Sequence, residues 1–244
     1  RPWLEDLWEK TMALSRAFLR RRERAYLWIH LVDLVLALLR NVCKNNAAMH
    51  AGQGRGFPGR SFTGTLGLIG FGAIAQSFAR FCAGFPVDVV AYDMNPDPAR
   101  AAELGVTLVS LEELLARADF VTLHLPLTGS TRHFVDGAMF SRMKRGAYFI
   151  NTSRGPVADE QALIRALQDG QLQGAVLDVF ETEPVGPDNP LLAMDNVMLS
   201  SHTAAGSLHA QRKVLQACCD TILDYHRGTL RGNVINRDKV TVRR

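Results

Sequence analysis

Apolar positions in this chain follow two alternating patterns. One is a short unbroken run, as expected of a strand buried on both faces. The other is recurrence every three or four residues, as expected of a helix with one face on a core. Short, mainly apolar runs that read as strands occupy 66–71, 87–92, 106–109, 119–125, 147–151, 174–180 and 197–200. Helical spacing or helix-start signals appear between them. Ile74, Phe78, Phe81 and Cys82 mark one helix, and a short one follows the 95–98 turn and stops at Gly105. Ser110-Leu111-Glu112-Glu113 fits the S-x-x-E capping box and opens a helix to 118. Further helices are expected at 136–143, 159–168 and about 207–226. Strands that alternate with helices predict an α/β fold with a parallel, doubly wound sheet.

The ends of the chain are less regular. Trp3, Leu4, Leu7, Trp8, Met12, Leu14, Phe18 and Leu19 recur at roughly helical spacing until Arg20, Arg21, Arg22, Glu23 and Arg24 interrupt them. Residues 1–30 therefore read as an unassigned helical segment, packed on a neighbour rather than lying on a membrane surface, or as the remnant of something longer. A strongly apolar helix is expected at 31–42. The stretch 41–63, with Gly52, Gly54, Gly56, Pro58 and Gly59, reads as an extended arm or loop. A basic tail, 238–244, closes the chain.

The stretch 65–93 carries the first chemistry. Its opening strand runs into Gly70, Gly72 and Ala75, spaced G-x-G-x-x-A, and then into a helix. The first glycine permits the tight strand-to-helix turn, and the second lets a pyrophosphate approach the backbone. The helix N-terminus offers unpaired N–H groups and partial positive charge to that pyrophosphate. Asp93 ends the next strand at close to the ~20-residue spacing of a carboxylate that accepts from ribose hydroxyls. A 2′-phosphate there would meet like charge, and Met94 and Asn95 bring no positive charge to offset it. The stretch therefore predicts NAD rather than NADP.

In open α/β sheets ligands bind beyond the carboxyl ends of the strands. Arg154, Asp178 with Glu183 just after it, and His202 all stand at such ends. A guanidinium grips a carboxylate with two hydrogen bonds. A histidine gives or takes a proton near neutral pH, and a carboxylate beside it fixes its orientation. Together they suit hydride transfer to a 2-keto acid or from a 2-hydroxy acid. His50, His124 and His133 lack such acid partners in the sequence and read as structural.

Composition adds bounds. With 244 residues, 47% of them hydrophobic, the chain can form one large domain or two small ones. The formal charge of +4 is concentrated near the ends without a base-reading motif, so no nucleic-acid partner is expected. No apolar run approaches the ~18 residues of a membrane span. Cys43, Cys82, Cys218 and Cys219 have no metal-ligand spacing, so no metal site is expected and a reducing, cytoplasmic compartment is the simpler reading.

These stretches together resemble the D-isomer-specific 2-hydroxyacid dehydrogenases, the family of phosphoglycerate dehydrogenase and glyoxylate/hydroxypyruvate reductase. The matching segments start at Thr65 (TLGLIGFGAIAQ), Ala118 (ADFVTLHLPLTGSTRH), Met143 (MKRGAYFINTSRGPVADEQALIRAL), Gly174 (GAVLDVFETEP) and Asn196 (NVMLSSH). The resemblance covers 31–237. It implies a Rossmann-type NAD-binding domain with a dimer-forming helix and arm and a C-terminal helix, and hence a homodimer. It implies that Arg154 binds the substrate carboxylate and keto oxygen, that His202 is the acid/base, and that Glu183 is its partner. It implies that Asp178 holds the nicotinamide amide. Cofactor contacts carried over from the family fall on Gly70, Gly72, Ala73, Ile74, Asp93, Leu125, Pro126, Thr131, Thr152, Ser153, Arg154, Asp178, His202, Ala204 and Ala205.

Three positions depart from the family pattern: Ala75 for its third glycine, Ala73 for a basic residue, and Ser201 for the proline before the histidine. Residues 1–30 do not resemble the family's substrate domain. The chain thus reads as a cofactor domain with most of the substrate domain missing, which binds NAD but turns over substrate weakly. The competing reading is an NAD-sensing interaction module, like the corepressors that resemble this family.

Overall fold

The computed structural model describes residues 24–54, 56–204, 206 and 208–229. The basic tail at 238–244 and most of the 1–30 segment lie outside these residues. The chain divides into two compact units, Leu27–Ala204 and a second made of Arg1–Tyr26 with Ala205–Arg244. In the second, one long helix is described, Leu208–His226, at the expected place.

The first unit is built on seven parallel strands: β1 (Gly64–Ile69), β2 (Val87–Tyr92), β3 (Thr107–Leu108), β4 (Phe120–Leu123), β5 (Ala147–Asn151), β6 (Leu172–Leu177) and β7 (Val197–Leu199). Their order in the sheet is β3-β2-β1-β4-β5-β6-β7. Helices α1 (Arg24–Leu39), α2 (Val42–His50), α3 (Ala73–Cys82), α4 (Pro98–Glu103), α5 (Leu111–Arg117), α6 (Gly137–Arg142) and α7 (Glu160–Gln168) join and flank them. Strand order reverses between β1 and β4, and ligands of such sheets sit in the crevice at that reversal.

The central strands β1, β4 and β5 read as largely apolar runs because both faces are covered. Successive residues point to opposite faces. Phe120 and Ile150 join Leu31, Val35, Leu39, Leu66, Leu68 and Phe78 in one core, which takes in α1 and α3. Val121 and Phe149 join Leu114, Phe140, Leu163 and Leu177 in the other, with α5, α6 and α7. Side-chain caps start the helices where the sequence suggests. Ser110 Oγ accepts the Glu113 N–H at 3.1 Å, and Asp159 Oδ1 accepts that of Ala162 at 2.9 Å.

Two segments differ from expectation. The arm at 41–63 opens with a helix, α2, after the chain breaks at Asn41 in a left-handed conformation, φ 52°. Asn45 then ties the returning arm: its Oδ1 accepts the Phe57 N–H at 2.5 Å and its Nδ2 donates to Phe57 O at 3.2 Å. The glycines mislead because they lie after the helix. The run at 174–180 is likewise not all strand. β6 ends at Leu177, and Asp178 to Phe180 form the turn beyond it.

At the N-terminal end of β4, Asp119 stitches three segments together. It accepts the Thr65 N–H at 2.9 Å and the Lys144 ammonium at 2.9 Å, with the Arg60 guanidinium 3.4 Å away. Arg60 also lies over the rings of Phe120 and Tyr148, 5.4 and 5.7 Å from their centroids. Gly64, at φ +106°, must be glycine here, since a Cβ would lie 2.3 Å from Asp119 Oδ2. Burial opposes ionisation of Asp119, but the Thr65 N–H, Lys144 and Arg60 outweigh it and hold the carboxyl below its usual range. Asp119→Ala is expected to cost about 1–3 kcal/mol, because it leaves the Thr65 N–H unpaired. The folded value is the lower one. The stabilisation is therefore complete above the unfolded carboxyl's ~3.9 and fades as pH falls through the folded value. Urea titrations of both proteins at neutral and acid pH test this; the gap in stability should narrow in acid.

Candidate active site

The glycine loop forms where β1 meets α3. Gly70 adopts φ +91°, and its N–H donates to Tyr92 O at 2.8 Å. A Cβ there would press on the His124 carbonyl and Leu125 at 3.0 Å. Gly72 caps α3 with extended backbone and no side-chain hydrogen bond, so the first N–H groups of the helix face the crevice uncapped. Nothing lies within 4 Å of where a Gly72 Cβ would be, which leaves space for a phosphate to approach. Asp93 stands beside this loop. Its Oδ2 accepts the Phe71 N–H at 2.6 Å and its Oδ1 that of Asn95 at 2.8 Å. Two bonds leave about half of a carboxylate's lone-pair sites for ribose hydroxyls. These residues fit a dinucleotide.

At the end of β5, Asn151 shapes the turn that presents Arg154. It is buried, and its Oδ1 accepts from the Ser153 N–H and hydroxyl at 3.0 and 2.9 Å. Its Nδ2 donates to the Arg154 carbonyl at 3.0 Å. The Arg154 guanidinium is exposed and donates to the Ser153 carbonyl at 2.6 Å. Gly155 then passes against the next strand's turn so closely that a Cβ would lie 1.8 Å from the Phe180 carbonyl oxygen.

That turn carries the acid. Glu183 Oε1 accepts the Phe180 N–H at 2.9 Å, and its Oε2 accepts from His202 Nδ1 at 2.7 Å. Burial opposes ionisation of Glu183, but His202, the Phe180 N–H and the charge of Arg154 outweigh it and hold the carboxyl below the usual range. His202 sits beyond β7 at φ 56°, a conformation sparsely used by residues other than glycine. With Nδ1 committed to Glu183, Nε2 is the nitrogen left to meet a substrate. The structure thus joins Arg154, Glu183 and His202 at one edge of the sheet.

Other expected contacts have local partners. Asp178 is fully buried: its Oδ1 accepts the Thr203 N–H at 3.0 Å and its Oδ2 that of Ala204 at 3.2 Å. Its first task here is to hold the turn after His202. Thr131 donates to the Pro126 carbonyl at 2.6 Å and accepts the Thr128 N–H at 2.8 Å, which fastens the loop after β4. Leu125 packs beneath Gly70. Ala73 and Ile74 open α3, and Thr152 lies in the Asn151 turn. Ala204 is buried beside Asp178, and Ala205 lies outside the described residues.

One reading of the sequence needs correction. His133 does have an acid partner, since its Nε2 lies 2.5 Å from Glu181 Oε1. The pairing is invisible locally because the loop after β4 and the turn after β6 meet only in the folded sheet. His124 remains structural: its ring lies beside Phe78, and desolvation pushes it down to about 4, so it is neutral. The sequence reading missed Asn151, His30 and Gly155. Only Gly155 had a signal, its place directly after Arg154. Among the described residues no cluster could hold a metal ion, and no helix is long and apolar enough to cross a membrane.

Residues 32–204 match the family model described as the D-isomer specific 2-hydroxyacid dehydrogenase, NAD binding domain. The chain belongs to that family. It is 42% identical over 179 residues to a glyoxylate reductase of Korarchaeum cryptofilum, covering 73% of this chain and 54% of that one. It is 38% identical over 213 residues to a D-3-phosphoglycerate dehydrogenase of Methanocaldococcus jannaschii, covering 86% and 40%. The chain therefore spans about half the length, or less, of these relatives. Among solved structures, the pyruvate reductase of Chlamydomonas reinhardtii superposes with a TM-score of 0.79 at 33% identity, over 86% of this chain and 68% of that one. The NAD complex of the family member from Lactobacillus delbrueckii gives 0.76 at 28% identity, over 87% and 70%. The family match coincides with the compact unit that holds the glycine loop and the His202–Glu183 pair.

Proposed function

We propose that the chain is the cofactor-binding and proton-transfer half of an NAD-dependent oxidoreductase that interconverts a small 2-keto acid and its D-2-hydroxy acid. The observation that carries this reading is the 2.7 Å bond from His202 Nδ1 to Glu183, in the same unit as the open glycine loop. NAD, when bound, supplies the hydride chemistry. His202 Nε2 gives its proton to the keto oxygen during reduction and recovers it from the hydroxyl during oxidation. Glu183 holds the ring in one orientation by accepting from Nδ1 at 2.7 Å. Arg154 reaches into the solvent-filled edge and pairs with the substrate carboxylate. The relatives above are named as reductases and dehydrogenases, which favours turnover over the corepressor-like reading.

The test is direct. Purified chain should oxidise NADH when given glyoxylate, hydroxypyruvate or pyruvate, slowly but above a protein-free control. Activity at least about a hundredfold below a full-length relative is expected, because positioning contributes up to ~7–11 kcal/mol and the relatives bring further residues to it. Absence of any turnover, with capture of a partner protein in its place, would overturn the enzymatic reading.

NAD is expected to bind more tightly than NADP, since the Asp93 carboxylate beside the glycine loop would repel a 2′-phosphate by like charge. Fluorescence titration with NADH and NADPH decides it, and tighter NADPH binding would refute the assignment of Asp93. A homodimer in a reducing, cytoplasmic setting is part of the same proposal. α1 buries Leu31, Val32, Val35 and Leu39 on its own sheet but leaves Leu34, Leu36 and Leu38 only half-buried. Sedimentation at micromolar concentration should show a dimer; monomer alone would count against it.

A further inference from the structure

His30 belongs to no motif that the proposed function uses, yet its side chain reaches the middle of the site. It lies on α1, among residues that are otherwise mostly apolar. Its Nε2 is 3.2 Å from Asp178 Oδ1 and 3.1 Å from Ser200 Oγ. A carboxylate oxygen only accepts, so the hydrogen sits on Nε2 and His30 is the donor. Ser200 Oγ lies 2.9 Å from Thr203 Oγ1 in turn. Asp178 Oδ1 and Oδ2 accept the N–H groups of Thr203 and Ala204. All of these contacts except His30–Asp178 end on the turn 200–204, with His202 at its centre.

That turn needs outside support. His202 is held at φ 56°, and such backbone persists in a residue other than glycine only where its surroundings over-determine it. Asp178 provides the clamp, but its side chain is 1% exposed, and a carboxylate so buried requires donors of its own. Two come from the turn it clamps. The third, His30, comes from an element 148 residues away in sequence. It alone of the three fixes the carboxylate against something other than the turn.

We propose that His30 is a positioning residue: it anchors Asp178, and through Asp178 and Ser200 it holds the turn that presents His202 to Glu183. The imidazole acts as a fixed donor and transfers no proton. Through it, α1 is linked to the proton-transfer turn. The inference rests on the reading of His202 as the acid/base. Its test is made without substrate, so its failure and the failure of that reading are distinguishable.

The experiment is backbone amide hydrogen exchange by NMR on the full 244-residue chain, comparing wild type with His30→Leu, His30→Ala and His30→Gln. Leu and Ala remove the donor, whereas the Gln amide can place an N–H near the Nε2 position. In His30→Leu the amides of Thr203 and Ala204 should exchange about tenfold faster, the factor implied by losing a hydrogen bond to a charged group. Those of Val176 and Leu177 in β6 should not change, and His30→Gln should restore most of the protection at Thr203 and Ala204. His30→Ala gives the same reading if the leucine variant does not fold. Unchanged exchange at Thr203 and Ala204 overturns the proposal. Equal acceleration in β6 also overturns it, because His30 would then only support the core. Failure of the glutamine to restore protection would remove its hydrogen-bond basis.

Discussion

Replacing His202 by alanine is expected to slow 2-keto acid reduction by about 10²–10⁴-fold and to leave NADH affinity unchanged. The size follows from the role. Without a positioned donor, the proton must come from water while charge builds on the substrate oxygen. The geometry limits the effect to that step: His202 is bonded to Glu183 at 2.7 Å, on the far side of the sheet reversal from the glycine loop and Asp93. Glu183→Gln should cost less, since the ring keeps a partner but loses the charge. The pH profile gives an independent check. Burial opposes ionisation of Glu183, yet His202, the Phe180 N–H and Arg154 keep its carboxyl below the ordinary 4.5. The sign is that of a carboxylate stabilised by its surroundings, so Glu183 remains charged as pH falls through that ordinary value. A wild-type rate that halves at the ordinary glutamate value would contradict the pairing. Unchanged turnover in His202→Ala would reject the assignment outright. These rates can be read in this chain or in any longer polypeptide that carries it.

Gly155→Ala is expected to lower activity by about 10²-fold and to destabilise the fold by ~1–3 kcal/mol or more. A single methyl group would stand 1.8 Å from the Phe180 carbonyl oxygen and 2.6 Å from the Glu181 nitrogen. Both are backbone atoms, so no side chain can swing aside. The two strand-end turns must separate, and they carry Arg154 on one side and Glu183 on the other. A shift of about 1 Å at such a site is enough for the expected loss of rate. Thermal unfolding and steady-state kinetics of the one variant measure both effects. Gly72→Ala is a useful contrast, because nothing lies within 4 Å of that position. It should leave stability nearly unchanged and act on cofactor binding alone. Wild-type rate and stability in Gly155→Ala would mean that the turns are not locked together.

Much of this protein is written locally. Runs such as 66–71 and 147–151 announce buried parallel strands because a strand covered on both faces has no polar side to show. Ser110 and Asp159 announce helix starts because a capping side chain bonds a backbone only three residues on. Gly70, Gly72 and Asp93 announce a dinucleotide because one βαβ unit brings them together within about thirty residues. Arg154, Glu183 and His202 could be read because a parallel sheet delivers every strand end to the same edge.

What the sequence could not decide depends on which distant segments meet. Asn45 bonds across twelve residues to make an arm out of a glycine-rich stretch. His133 finds Glu181 across 48 residues, and His30 finds Asp178 across 148. No period or spacing encodes such pairs. Each partner is an ordinary polar residue until the fold brings the two side by side, and at Asp178, 1% exposed, burial then makes an unmatched group costly. Gly155 shows the same limit in steric form. Its local motif allows any small residue, and only the Phe180 carbonyl packed against it forbids a side chain. Local chemistry thus determined the sheet, the glycine loop and the residues proposed to react. Tertiary packing decided how the turn at His202 is held, because that support comes from groups that share no segment of chain.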